Sequence, residues 1–113
     1  MYIDRNKIQK YPFNGAFYTY EIDYSKPLDE QKEEEVLVLE TECDIQESGK
    51  SLSGTVTANY AIYFPIKDGD SLPITNGMEF RSNMYGLRVN GTVKGVFPTQ
   101  MNGCVAYIVD KDI

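Results

Sequence analysis

The stretch that decides the fold lies in the middle of the chain and reads Val56-Thr57-Ala58-Asn59-Tyr60-Ala61-Ile62-Tyr63-Phe64-Pro65. Its side chains alternate with a period of two, and many are β-branched or aromatic, as is typical of a half-buried strand. One face carries Val56, Ala58, Tyr60, Ile62 and Phe64. Pro65 has no amide hydrogen to donate to a neighbouring strand, so we expect it to close this strand.

The same period recurs on both sides of this stretch. Segments 16–24, 35–45 and 85–97 alternate in the same way, and 78–81 and 104–109 are shorter strand-like runs. The apolar faces that we assign are Ala16, Tyr18, Tyr20, Ile22 and Tyr24, with Phe17 as the exception; Leu37, Leu39, Thr41, Cys43 and Ile45; and Leu87, Val89, Gly91, Val93, Gly95 and Phe97. No window has a good helical period. The pattern predicts an all-β fold, a small antiparallel β-barrel or sandwich of about six strands.

The dipeptide Asn90-Gly91 inside segment 85–97 is a candidate for a two-residue hairpin turn. A tight turn there would pair Val89 with Thr92 and mix the apolar and polar faces. We therefore predict one continuous strand, bulged at a glycine, and place turns instead at 67–70 and at Asn76-Gly77.

A chain of 113 residues is expected to form one domain. We divide it into a flexible N-terminal arm, residues 1–15, and a single β-barrel domain, residues 16–113. The polar segments 25–34 and 46–53 are expected to be loops, the first of them flexible.

The composition argues against an enzyme. The chain has no histidine, which removes Ser-His-Asp and Cys-His nucleophiles and the commonest general base. It has no glycine-rich phosphate loop and no CxxC metal motif, so we expect no catalytic residue, no cofactor and no metal. Cys43 and Cys104 lie in strand-like segments and are interpreted as buried, reduced thiols.

The charge argues against general binding of nucleic acid, because the net charge is −6 and phosphate contacts need clustered basic side chains. Much of the acid lies in the run 29–35, which we interpret as a solvated loop, with an acidic docking patch as the alternative. No apolar run is long enough to cross a bilayer and the N-terminus has no signal-peptide pattern, so we expect an intracellular protein that does not bind membranes.

The second half of the chain carries an ordered set of motifs. An aromatic strand ends at a proline, a glycine turn leads to an acidic and an aromatic residue, a Tyr-x-Val strand follows, and a last strand comes after a Pro-to-Gly turn: Asn59-Tyr60-Ala61-Ile62-Tyr63-Phe64-Pro65, Gly77-Met78-Glu79-Phe80, Tyr85-Gly86-Leu87-Arg88-Val89, and Pro98-Thr99-Gln100-Met101-Asn102-Gly103. In this order residues 54–110 resemble the small head–tail connector proteins, also called head-closure or minor capsid proteins, of tailed bacteriophages and prophages. The chain departs from the family where Gly-Asp is usual before the aromatic residue, since Gly77-Met78 stands there.

The resemblance implies a non-enzymatic barrel that assembles as a ring between portal and tail, first in the host cytoplasm and then at the head–tail junction of the virion. Its partners would be further copies of the chain and the portal, adaptor and tail proteins. In such families loops and a terminal arm make the contacts. The positions that this implies here are Lys7, Ile8, Lys10, Tyr11 and Phe13 in the arm, and Gln46, Glu47, Lys50 and Leu52 in the loop.

Two other classes of function stay open. The chain has nine tyrosines and five phenylalanines, and exposed aromatic rings could serve an OB-like or SH3-like module that binds a peptide, a glycan or a single-stranded nucleic acid. We expect Tyr18, Tyr20 and Tyr60 to face the core instead. A carboxylate-dependent enzyme would need a pocket that holds two paired acids.

Overall fold

The structure is a computed structural model that describes residues 11–53, 56–66, 72–99 and 103–110. This part of the chain is all-β, as the sequence predicts, with one short 3-10 turn at Leu28–Glu30. The strands are β1 (Phe13–Ile22), β2 (Glu33–Glu47), β3 (Ser51–Ser53), β4 (Val56–Thr57), β5 (Tyr60–Pro65), β6 (Glu79–Met84), β7 (Leu87–Thr99) and β8 (Gly103–Asp110).

Six of these strands form a closed antiparallel barrel in the order β1-β2-β5-β8-β7-β6, and pairing of β1 with β6 closes it. β3 and β4 form a separate two-stranded hairpin. β6 does not pair with β5, which precedes it in the chain; it lies between β7 and β1. The last strand, β8, lies between β5 and β7. Closure covers the backbone hydrogen-bonding groups that an open sheet would leave at its edges.

Three phenylalanines fill the centre of the barrel. The ring of Phe17 lies 5.0 Å from the ring of Phe80 and 5.2 Å from that of Phe64, measured between centroids. Aliphatic and thiol side chains from the remaining strands complete the buried cluster, namely Cys43, Ile45, Ile62, Ile74, Val89, Val93, Cys104, Ala106 and Ile108. Tyr60 packs against this core, as the alternation of β5 predicts.

The predicted apolar face of β1 is wrong. Phe17, the exception in the pattern, is fully buried, whereas Tyr20 is 41% exposed and Tyr24 is 75% exposed. An irregularity in the pairing leaves Val38 of β2 between the partners of Phe17 and Tyr18. The phenylalanine takes the core position because its ring has no polar atom, while the Tyr20 hydroxyl on the other face finds charged partners.

Strand β7 is continuous through Asn90-Gly91, as the register argument predicts. Its bulge lies between Val93 and Gly95. Of the apolar face predicted for 85–97, Val89, Gly91, Val93 and Gly95 are buried, whereas Leu87 at the start of the strand is exposed. An extra residue reverses the side on which all later side chains point. Beyond the bulge Val96 packs on the core, and Phe97 is 47% exposed on the outside.

Several boundaries differ from the predicted ones. The strand predicted over 54–64 is divided, because Asn59 bends the chain and accepts a 2.8 Å hydrogen bond from the amide of Asp110 through Oδ1. β1 begins at Phe13, so the last three residues of the predicted arm belong to the barrel. The turn at Asn76-Gly77 is confirmed, and the turn expected at 67–70 lies outside the described residues.

Strands β6 and β7 are joined by a two-residue turn that the sequence analysis placed inside a strand. Met84 pairs with Leu87, and the turn residues Tyr85 and Gly86 have φ of 52° and 86°. Two positive φ angles are those of a type I′ turn, which normally favours Asn-Gly. Because tyrosine is uncommon at this position of a type I′ turn, residue preferences do not predict the turn.

Candidate functional site

A two-stranded hairpin extends β1 and β2 beyond the barrel. β1 pairs with β6 only as far as Tyr18, and β2 pairs with β5 only from Asp44 onward. Among the described residues, the strands of segment 19–36 therefore pair only with each other, through the partners Thr19–Val36 to Ile22–Glu33. We call residues 19–36 the acidic hairpin.

The acidic hairpin holds most of the net charge of the chain. Its seven carboxylates and two lysines give a net charge of −5, against −6 for all 113 residues. Lys26 and Glu34 form an exposed ion pair at 3.2 Å. The hydroxyl and amide of Ser25 both donate to the Asp23 carboxylate, and these bonds lower the pKa of Asp23 below its ordinary value. Glu35 pairs with Arg81 of β6, and the other four acids, Glu21, Asp29, Glu30 and Glu33, are exposed.

Apolar side chains are exposed among these acids. Leu28 follows Pro27 in the 3-10 turn and is 86% exposed, and Tyr24 is nearly as accessible. Leu37 is exposed at the base of the acidic hairpin. An isolated two-stranded hairpin is at best marginally stable in water. Burial of its exposed apolar side chains against another surface would therefore stabilise it.

A charged network holds the base of the acidic hairpin against the barrel. Arg81 of β6 pairs with Glu35 of β2 and with Glu79, whose side chain is almost completely buried. The Arg81 Nε donates to Glu79 Oε2 at 2.5 Å, and Tyr20 donates to the same oxygen at 3.2 Å. The guanidinium carbon lies 4.4 Å from the centre of the Tyr18 ring. The network thus joins β1, β2 and β6 where the hairpin leaves the barrel.

The Arg81 guanidinium is committed to this network. Its hydrogen bond to Glu35 and its contacts with Glu79 raise the pKa of Arg81 above its ordinary value, although burial opposes the shift. Both carboxylates are compensated by the same cation. The cluster is therefore suited to fixing the direction of the acidic hairpin, and its cation is not open to a substrate anion.

The other end of β1 carries a second exposed surface. Phe13 contacts Tyr85 edge to face, with ring centroids 5.0 Å apart. Tyr85 is 89% exposed at the tip of the β6–β7 turn, and Leu87 beside it is also exposed. We call Phe13, Tyr85 and Leu87 the aromatic end. Exposed aromatic side chains with few rotatable bonds are common anchors of protein interfaces.

The β3–β4 hairpin covers part of the barrel wall. The Lys50 ammonium lies 4.7 Å from the ring centre of Tyr107 and 5.3 Å from that of Phe97. These two rings are 5.8 Å apart, edge to face. A Cβ placed on Gly95 would lie 3.8 Å from Leu52, so this leucine packs just above the β7 backbone.

Among the described residues, the contact positions that the resemblance implies lie in different elements. Phe13 belongs to the aromatic end, whereas Lys50 and Leu52 pack on β7 and β8. Gln46 bonds the Asp44 carboxylate at 2.8 Å, and Glu47 ends β2 opposite Tyr60. Tyr11 is half-buried, and Lys7, Ile8 and Lys10 lie outside the described residues.

The sequence analysis missed the acidic hairpin as a projecting element. The available signal was the acidic run together with Leu28, an apolar residue in the segment 25–34 that was interpreted as a loop, whereas Tyr24 was assigned to the apolar face of segment 16–24. Tyr85 was missed as well, because it was assigned to a strand.

Both cysteines are free and buried, as predicted. Burial raises the pKa of the Cys43 thiol to about 12, with a smaller contribution from the negative charge of Asp44. Burial also raises the pKa of Cys104. A thiol that stays protonated is a poor nucleophile and a poor metal ligand, so both act as small core side chains.

The described part of the chain offers no recognisable centre for metal chemistry, since no three of its carboxylates and thiols lie close enough together to hold an ion. Within the same residues there is no helix of a length and hydropathy that would carry it across a bilayer. No protein-family model, no curated protein and no solved structure matches the chain. Among the described residues, most of the exposed large apolar side chains lie on the acidic hairpin, at its base and on the aromatic end.

Proposed function

We propose that this chain is a non-enzymatic structural subunit that assembles into a ring, of the kind that tailed bacteriophages place between portal and tail. The observation that carries the proposal is the acidic hairpin. It exposes tyrosine and leucine side chains on an element whose backbone pairs with no other strand among the described residues. A closed barrel with a projecting hairpin is suited to assembly, because the barrel keeps its fold while the acidic hairpin reaches a neighbour.

The distribution of charge supports the same role. A ring at a head–tail junction surrounds the path of the DNA, and a negatively charged wall does not retain phosphates. The partners that we propose are further copies of the chain together with portal, adaptor and tail proteins. The proposed locations are the host cytoplasm during assembly and the head–tail junction of the finished virion.

The proposal is tested with a variant that lacks the tip of the acidic hairpin. Ile22 and Glu33 are directly opposite in the register, so residues 23–32 can be replaced by a two-residue Asn-Gly turn without disturbing the pairing below. We expect the native chain to form oligomers as concentration rises in sedimentation velocity, with rings visible by electron microscopy. The shortened chain is expected to stay monomeric with an unchanged far-ultraviolet spectrum.

The matched control is Lys26→Ala, which removes one exposed ion pair from the same tip and leaves its length unchanged. This variant should assemble like the native chain. A native chain that stays monomeric at every concentration, or a shortened chain that assembles normally, contradicts the proposal.

One observation favours a binding module as the second candidate. Phe97 is half exposed beside Tyr107, and Lys50 lies over both rings, so an aromatic and a cationic group share one patch of the barrel wall. Such a patch can stack on a base or a sugar. Titration with single-stranded oligonucleotides and with glycans tests it: Phe97→Ala should abolish any binding, and absence of binding by the native chain removes this candidate.

A further inference from the structure

We propose that the outer edge of β2, residues 33–41, receives an extended strand of a partner protein that carries lysine or arginine on one face and apolar side chains on the other. We call residues 33–41 the open edge. The inference goes beyond the proposed assembly function, because it concerns the side of β2 and not the hairpin tip, and a partner other than a second copy of the chain.

The backbone of the open edge has no neighbouring strand on its outer side. β2 pairs with β1 as far as Glu33, but on its other side β5 pairs only with Asp44–Glu47. β5 ends at Pro65, which has no amide hydrogen with which to continue the ladder. Among the described residues, no other strand lies beside the open edge. Alternate residues of a strand direct their N–H and C=O groups to the same side, so this edge presents a row of hydrogen-bonding groups to an incoming strand.

The open edge is held in place by the barrel. Leu39 lies opposite the fully buried Phe17, and both Val38 and Leu39 pack against the core. The ion pair with Arg81 fixes Glu35 as well. An edge that is already extended and anchored loses little conformational freedom when a strand adds to it, which favours binding by β-strand addition.

The two faces of the open edge differ in chemistry. Val36 and Leu39 lie on the face that continues the core, because their partners on β1 are on the same side as Phe17. Glu33 and Glu40 lie on the opposite face and are exposed. Within the described part of the chain, neither glutamate forms an ion pair. A complementary strand therefore places apolar side chains on the first face and basic side chains on the second.

The charge of β2 excludes a second copy of the same edge as the occupant. β2 contains no lysine or arginine, so pairing two open edges would bring glutamates against glutamates. Charged edges of this kind keep a sheet from associating with itself. A strand with cationic side chains meets the same glutamates as opposite charges, and it gains from both backbone and side-chain contacts.

The probe is a synthetic nine-residue peptide that alternates lysine and valine. Its binding to the full chain is measured by fluorescence anisotropy at physiological salt. The matched control peptide carries N-methyl groups on two successive central residues, which block both of its edges and leave its charge unchanged. We expect the control peptide to bind about tenfold more weakly or less, because backbone pairing is lost.

Paired charge reversals locate the site on the chain. Glu33→Lys with Glu40→Lys alters the open edge. The matched control, Glu30→Lys with Glu47→Lys, makes the same change of net charge at exposed positions beyond either end of the edge. The edge variant should bind the probe about tenfold more weakly, whereas the control variant should stay within about threefold of the native chain. Far-ultraviolet spectra check that both variants keep the fold.

Amide hydrogen exchange gives the structural readout. In the free chain, alternate amides of residues 34–41 should exchange fast, because those directed to the open side have no acceptor in the described part of the chain. Saturating probe should slow the exchange of these same amides by about tenfold or more.

Several results would overturn the inference. They are no binding of the probe by the native chain, equal binding of the N-methylated peptide, and equal losses in the edge and control variants. Slow exchange of all amides of residues 34–41 in the free chain would show that the edge is already covered, and protection that rises with chain concentration would assign it to a second copy. None of these results decides the assembly function, whose test is the oligomeric state of the chain alone.

Discussion

At the scale of single residues, Gly91 is where the barrel leaves no room for a side chain. A Cβ at this position would lie 2.5 Å from the carbonyl oxygen of Val109 on the neighbouring strand β8. We expect Gly91→Ala to lower the free energy of unfolding by about 2 kcal/mol, because backbone must move. Gly49→Ala is the control, since a Cβ there would meet nothing within 4 Å. Urea denaturation measures both, and equal stabilities would contradict the close packing of β7 on β8.

Arg81 is the residue whose loss should cost most at the base of the acidic hairpin. Arg81→Ala leaves the buried Glu79 carboxylate without its cation and is expected to destabilise the chain by about 2 kcal/mol. The exposed pair between Lys26 and Glu34 offers the comparison, and Lys26→Ala should cost less than about 1 kcal/mol. Thermal denaturation of the two variants tests the difference, and a milder effect of Arg81→Ala would contradict it.

Cys43 makes stability depend on pH in the alkaline range. Its pKa in the folded chain is about 12, above the ordinary thiol value of 9.0, because burial disfavours the thiolate. The unfolded chain therefore loses this proton first, and the free energy of unfolding falls as pH rises from about 9 toward 12. Below pH 9 the contribution is fully present. Denaturant titrations at several pH values should give a flatter alkaline decline for Cys43→Ala than for the native chain, and identical declines would contradict the assignment.

At the scale of elements, the bulge of β7 sets which side chains enter the core. Lys94 is the extra residue, so deleting it leaves the pairs beyond it as they are, with Val96 inside and Phe97 outside. Deleting Val96 instead moves Phe97 to the position that faces the core. We expect the Val96 deletion to destabilise the chain by about 3 kcal/mol or more and the Lys94 deletion to cost clearly less. Urea denaturation compares the two, and a Val96 deletion that is tolerated as well as the Lys94 deletion would show that the register beyond Val93 is not fixed by the core.

The same element shows how far the sequence determines the fold. Period-two alternation is a local signal, so it locates β1, β2, β5 and β7 and predicts that β7 runs through Asn90-Gly91. The bulge of β7 adds one residue and leaves no mark on that alternation, so the side occupied by Phe97 could not be predicted. The extra residue beside Phe17 lies in β2, so β1 keeps its alternation, and the face of β1 was misassigned because its tyrosines were counted as apolar. The acidic hairpin depends on where β5 and β6 stop pairing with their neighbours, which is a property of the whole barrel and not of segment 19–36.

At the scale of the whole molecule, the barrel begins earlier in the chain than the sequence analysis placed it. Phe13 pairs with Cys43 and packs against the core, and the carbonyl of Asn14 accepts a 2.5 Å hydrogen bond from Ser82. A chain that begins at Gly15 should therefore be less stable than one that begins at Phe13, by about 2 kcal/mol. Urea denaturation of the two truncated chains tests this, and equal stabilities would show that Phe13 and Asn14 do not stabilise the barrel.

The position of β8 between β5 and β7 has a consequence for biosynthesis. A ribosome releases β5, β6 and β7 before β8, so the nascent chain presents two unsatisfied strand edges until Gly103–Asp110 has emerged. Closure of the barrel must then follow translation of its last strand. Chains that terminate prematurely before Gly103 keep both edges open and are expected to aggregate or to be degraded, and only chains that contain β8 can close the barrel.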